Sequence, residues 1–186
     1  MTYYGSKELA AAFRTVRNNT IKIAEEIPEN KYDFRAAPET RTVQQTLAHI
    51  AASTDFQHLT HSRNVTDMKT LNFQELFAKF TEAENTPRSK ADTIAYLKSE
   101  GEKFASYLET LPEAFLSERV TMMPGVEPSS KTRFEMLLSA KEHEMHHRAQ
   151  LMTVQRMLGL VPHITRQMHE RMARMQAAAG AGQARV

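Results

Sequence analysis

Apolar residues return every three or four positions along most of this chain, the spacing of helices with one buried face. The first such stretch, from about Ser6 to Ile27, carries Leu9, Phe13, Val16, Thr20, Ile23 and Ile27 and is closed by Pro28. Thr42 with Gln45 three positions on reads as a capping box and opens a second helix over about Val43 to Arg63. Ser89 with Asp92 opens a third, in which Ile94, Leu97, Gly101, Phe104, Tyr107 and Leu111 form the stripe up to Pro112. A fourth is predicted from about Ser130 to Leu158, followed by Gly159, Pro162 and a tail helix over about His163 to Ala177.

Between helices two and three, Phe73, Leu76, Phe77 and Phe80 keep helical spacing behind the cap Asn72 and Glu75, so a short helix bridges the bundle there. The segments 28–41 and 112–129 have no helical period, carry prolines and read as the rims of a cleft. The expected fold is all-α: a four-helix bundle with a long crossover between helices two and three and a short C-terminal tail helix. It forms a single domain over residues 1–177, and the small, polar residues 178–186 are expected to be a flexible tail.

At 186 residues the chain is long enough to bury a core without staples. Its 24 basic and 22 acidic residues are interspersed, with no concentrated basic face for a nucleic acid. No apolar run approaches the ~20 residues of a membrane span. The first residues lack the apolar core of a signal peptide, so the expected location is the cytoplasm. With no cysteine there is no disulfide, thiolate metal site or cysteine nucleophile. Histidines and carboxylates must carry any metal chemistry.

Three of the eight histidines fall within five residues of helix four, in His143-Glu144-Met145-His146-His147. At about 100° per residue, His143 and His147 sit about 40° apart on one face, with His146 to the side. Met136, Ala140, His143, His147, Leu151, Val154 and Leu158 step by three or four, so the two imidazoles replace core residues in the buried seam. A divalent cation satisfies both nitrogens at once where an apolar seam does not. A third ligand from a neighbouring helix is expected, with His49, aligned with Ala52 and Phe56 on helix two, as the leading candidate and His58 and His61 as competitors. Three neutral imidazoles leave a coordination position open, the mark of a catalytic site. Zinc is the default ion, and imidazole suits nickel and iron as well. No general base is evident: Glu144 and Glu142 point off the seam, and His146, Gln150 and Asp55 are left as outer-shell candidates. A second stripe on helix four, Phe134, Leu138, Met145 and Met152, calls for another partner. A second subunit is one, and the crossover or tail helix is the other.

Two segments resemble the DinB/YfiT-like superfamily of metal-binding four-helix bundles. Tyr32-Asp33-Phe34-Arg35-Ala36-Ala37-Pro38 leading to His49 is similar to the family's aromatic-Arg-Pro loop and helix-two histidine. His143-Glu144-Met145-His146-His147-Arg148-Ala149-Gln150 is similar to its helix-four pair of ligands. The resemblance implies His49, His143 and His147 as the metal triad, a homodimer, and a small-molecule substrate, in some relatives with a low-molecular-weight thiol. The chain departs from the family pattern at Arg35-Ala36 and at Arg148-Ala149-Gln150, where relatives often have Arg-Pro and His-Arg-Gly-Gln. Three readings follow: a metal-dependent thiol transferase or hydrolase in which Arg35 and Arg148 orient an anionic group; a metal-holding or ligand-holding stress-response dimer without turnover; and a structural bundle with histidines paired in its core.

Overall fold

The computed structural model describes residues 4–183, of which the side chains are described as far as residue 179. Four helices form the bundle: α1 (Ser6–Glu26), α2 (Val43–Ser62), α4 (Lys90–Glu109) and α6 (Arg133–Met157). Around the square they run α1, α4, α2, α6, so that α1 and α2 lie across a diagonal. The crossover helix α3 (Phe73–Asn85) lies against α2. The caps form as the sequence predicts: the Thr42 and Ser89 hydroxyls accept from Gln45 N and Asp92 N, and Asn72 accepts from Glu75 N.

Three boundaries differ from the sequence expectation. The segment 112–129 contains the short helix α5 (Glu113–Ser117), and β1 (Arg119–Thr121) pairs antiparallel with β2 (Ser130–Thr132), with Val120 opposite Lys131. Ser130 is therefore in a strand, and α6 starts three residues later, where Thr132 and Glu135 make a reciprocal capping box. The tail helix α7 (His163–Gln183) runs past Ala177, where Ala178, Ala179 and Ala181 favour helix against Gly180 and Gly182. Of the tail expected over 178–186, residues 184–186 lie outside the described residues.

Two apolar clusters fill the bundle, one around Leu47, Ile50, Leu97 and Leu151 and the other around Leu9, Phe13, Phe104 and Leu137. All four bundle helices also meet at one buried polar group. Arg17 of α1 is 3% exposed and Glu144 of α6 is 1% exposed. The arginine Nε lies 3.0 Å from both Glu144 oxygens, Nη1 donates to Leu97 O of α4 at 2.7 Å, and Nη2 donates to Ile50 O of α2 at 3.3 Å. Gly101 leaves room for that guanidinium: a Cβ there would stand 2.7 Å from Arg17 Cγ. A buried charge is tolerable only when paired and hydrogen-bonded, and this one has both.

The second stripe of α6 is mostly covered from within the chain. Phe134 and Leu138 pack on the second apolar cluster, with Tyr4 edge-on to Phe134, and Met152 packs on the first. Met145 stays exposed. Among the described residues, no helix is long and apolar enough to cross a membrane.

Candidate metal centre

The loop before α2 aims His49. Tyr32 Oη donates to Ala24 O at 2.8 Å, and Phe34 O and Tyr32 O accept from Val43 N and Gln44 N, fixing the start of α2 on the end of α1. Gln45 Nε2 then donates to Asn85 Oδ1 at 3.0 Å and Gln44 Nε2 to Thr86 O at 3.2 Å. These bonds hold the C-terminal end of α3 beside the first turns of α2. Glu84 is thereby set against His49.

His49, His143 and His147 come together as the sequence seam predicts. One ligating atom from each lies within 4.8 Å of the others. His143 Nε2 is 3.0 Å from His49 Nε2 and 3.1 Å from His147 Nε2. Three nitrogens each about 2.0–2.1 Å from one ion at near-tetrahedral angles stand roughly 3.3 Å apart, close to this spacing.

The remaining ring nitrogens decide what can occupy the centre. His49 Nδ1 lies 2.8 Å from Glu84 Oε1, and an ionised carboxylate can only accept, so that nitrogen carries the proton. His147 Nδ1 lies 2.8 Å from Gln150 Oε1, and Gln150 Nε2 donates to His146 Nε2 at 3.1 Å, which fixes the same tautomer for His147. Two bare Nε2 lone pairs therefore face His143, whose one Nε2 proton could serve only one of them. A cation satisfies all three, and the donor set fits a divalent ion.

The electrostatics keep the three imidazoles neutral, each with one bare ring nitrogen. Burial, then the neighbouring histidines, pushes His143 down to about 4. Burial carries His147 to about 4 against the hydrogen bond to Gln150. Burial and Arg41 lower His49, opposed by Glu84. Burial raises Glu84, but hydrogen bonds from Arg41 and His49 outweigh it and hold the carboxyl below its ordinary value. Arg41 grips that carboxylate through Nε at 2.7 Å and Nη2 at 3.1 Å.

The other sequence candidates lie elsewhere. His61 is buried at 1% exposure, with Nδ1 3.3 Å from Arg133 Nη1, and is no surface histidine. His58 packs edge-on to Tyr107, and Asp55 pairs with Lys103. Arg35 donates to Thr40 O within its own loop, and Arg148 lies near enough to His163 to disfavour its protonation. Neither arginine lines a cavity at the centre. Glu144 belongs to the Arg17 pair. His146 and Gln150 do stand beside the triad, as expected.

Sequence reasoning missed Glu84 and Arg41. The stripe Phe73, Leu76, Phe77 and Phe80 continues by four to Glu84, so its period placed a carboxylate on the packing face of α3. Arg41, just before the Thr42 cap, had no comparable signal.

Two cavities flank the histidines and share Arg41 and Glu84. One, of about 480 Å³, contains His49, His143, Phe56, Phe77 and Phe80 in its wall. The other, of about 730 Å³, is lined by Thr40, Thr46, His146, His147 and Gln150 among others.

A family model described as the DinB superfamily matches residues 12–151. Among solved structures, YfiT from Bacillus subtilis, described as "a probable metal-dependent hydrolase with an unusual four-helix bundle topology", superposes with a TM-score of 0.67 at 15% identity. That match covers 86% of this chain and 91% of YfiT. The DinB-like protein YjoA from Bacillus subtilis superposes with a TM-score of 0.60 at 22% identity, over 82% of this chain and 92% of that one. A Streptococcus pneumoniae protein gives 0.62 at 18% identity, over 84% and 93% of the two chains. These likenesses establish the fold. A search of curated proteins finds no match to the chain.

Proposed function

The chain belongs to the DinB superfamily, and from that membership together with the geometry of the three imidazoles we propose that it is a divalent-metal-dependent enzyme acting on a small molecule. The observation that carries this reading is the meeting of three Nε2 atoms, two of them stripped of protons by Glu84 and Gln150. His49, His143 and His147 would hold the ion, with zinc as the default and nickel or iron served by the same ligands. When bound, such an ion lowers the pKa of water or a thiol and polarises a carbonyl.

The protein's own groups do the rest. Glu84 keeps the proton on His49 Nδ1, and Arg41 holds Glu84 ionised and in place. Gln150 does the same for His147 and ties His146 into the wall of the polar cavity. That cavity, with its threonine, histidine and glutamine groups, suits a small polar nucleophile, either water or a low-molecular-weight thiol. The phenylalanine-lined cavity on the other side suits the electrophile. As a homodimer, the chain would cover apolar side chains that stay exposed here, Met145, Met157 and Val161 on and after α6 and Met168, Met172 and Met175 on α7.

The test is turnover by protein loaded with zinc, nickel or iron(II), assayed with carboxylic esters and with small thiols plus an alkylating electrophile. Product formation that needs the ion and disappears in His49→Ala is expected. Stoichiometric metal with no product from any pair would overturn the enzyme reading in favour of a metal-holding protein.

A further inference from the structure

The phenylalanine-lined cavity lies between α2, α3 and α6. His49, His143 and Glu84 form one end of it. Along α2 the wall runs through Ser53 and Phe56 to Gln57, eight residues from His49, or about 12 Å at 1.5 Å per residue. Along α6 it runs to Ser139, about 6 Å from His143 by the same rise. The metal centre and the Gln57–Ser139 pair therefore line the same cavity, one to two helical turns apart.

Two features of it are left unsatisfied within the fold. Phe77 lines the cavity and touches the Phe73 ring, yet is 62% exposed among the described residues. Gln57 is only 8% exposed, and its Oε1 is buried with no hydrogen-bond partner. The surrounding bonds fix which end of that amide is free. The Ser139 hydroxyl donates to Met136 O at 2.5 Å, so its oxygen accepts from Gln57 Nε2 at 3.2 Å. Turning the amide over would set two acceptors against each other. The orphan is thus an acceptor, and what it lacks is a donor.

We propose that this cavity is the substrate-recognition site of the metal centre, selecting an apolar body of aryl or branched-alkyl size that ends in a hydrogen-bond donor, a hydroxyl or amide N–H, paired with Gln57 Oε1. This rests on the metal-dependent reading for the position of the reacting end. Phe56, Phe77 and Phe80 clasp the body, and Gln57 sets its reach. A substrate that fills the apolar stretch without a donor leaves a buried acceptor unpaired, which is how buried polar groups reject analogues lacking one group.

Calorimetric titration of the zinc-loaded protein with three hydroxamic acids tests this. Acetohydroxamic acid offers the metal-binding head alone, phenylpentanohydroxamic acid adds the apolar body, and its para-hydroxyphenyl analogue adds the donor. The body is expected to tighten binding by at least about tenfold, and the hydroxyl by about fivefold to tenfold more. Gln57→Leu should erase the hydroxyl increment and keep that of the body, while Phe80→Ala should reduce the latter. Equal affinities for all three probes, or a hydroxyl increment that survives Gln57→Leu, would overturn the proposal. Failure of acetohydroxamic acid to bind would instead count against the metal reading. The cavity is then judged in metal-free protein by ligand-observed NMR with phenylpentanol and its para-hydroxyphenyl analogue, where equal binding overturns it and preference for the hydroxyl supports it.

Discussion

Replacing Glu84 with glutamine removes one charge from the centre without changing its shape. In the wild-type protein the carboxylate accepts from His49 Nδ1 at 2.8 Å and from Arg41 at 2.7 and 3.1 Å. A glutamine offers one acceptor and one donor group in the same place. If its oxygen faces His49, its NH₂ meets the guanidinium donors of Arg41; if it faces Arg41, its NH₂ meets His49 Nδ1–H. One bond must break in either orientation, and Arg41 loses its counter-charge beside the metal site. Loss of such a carboxylate behind a metal-binding histidine weakens metal affinity by about 10–100-fold, equivalent to roughly 1.4–2.7 kcal/mol. Competition against a chromophoric chelator measures this for wild type, Glu84→Gln and Glu84→Ala. Urea unfolding of the metal-free forms separates the effect from a general loss of stability. Zinc affinity in Glu84→Gln within twofold of wild type would refute the argument that this carboxylate orients His49 for an ion.

Three further predictions concern stability. Glu144→Gln strands the Arg17 guanidinium, which is 3% exposed, and should cost about 3–5 kcal/mol in urea unfolding. Gly101→Ala should destabilise through the same guanidinium, and an unchanged unfolding midpoint in either variant would contradict the four-helix role of Arg17. In metal-free protein, His61, His143 and His147 are held down to about 4 chiefly by burial, with Arg133 a further cause at His61. Their folded-state values lie below the ordinary histidine value, so the unfolded chain binds more protons in between. Their contribution is fully present above about pH 6.5 and is lost as the pH falls toward 4, on the order of 3 kcal/mol for the fully buried His61. Unfolding free energies that stay flat between pH 7 and 5 would contradict this.

The sequence carried the bundle because its helices obey a local code. Thr42–Gln45 and Ser89–Asp92 place helix starts through bonds made within one turn, and those bonds are present. The seam through Met136, Ala140, His147 and Leu151 is buried as its period requires. The three-residue strands β1 and β2 left no such trace, since three residues are too few for alternation to show. Thr132 followed by Glu135 did mark the start of α6, three residues beyond the start expected near Ser130. Glu84, Arg41 and Gln57 meet partners 35 to 82 positions away in the chain; the period of α3 gives the face on which Glu84 lies, but no local pattern encodes which residues these three meet. The Arg17–Glu144 pair, 127 residues apart, is invisible for the same reason.

The metal centre itself is tested by elemental analysis of protein purified without a histidine tag or added metal, comparing wild type with the His143→Ala/His147→Ala double variant. About one divalent ion per chain is expected in the wild type, as one converging triad can hold one ion, with loss of that ion in a variant that still shows the helical circular dichroism of the bundle. A wild-type protein that takes up no metal even after reconstitution, or a double variant that keeps it, would contradict the assignment of these three histidines to a metal centre.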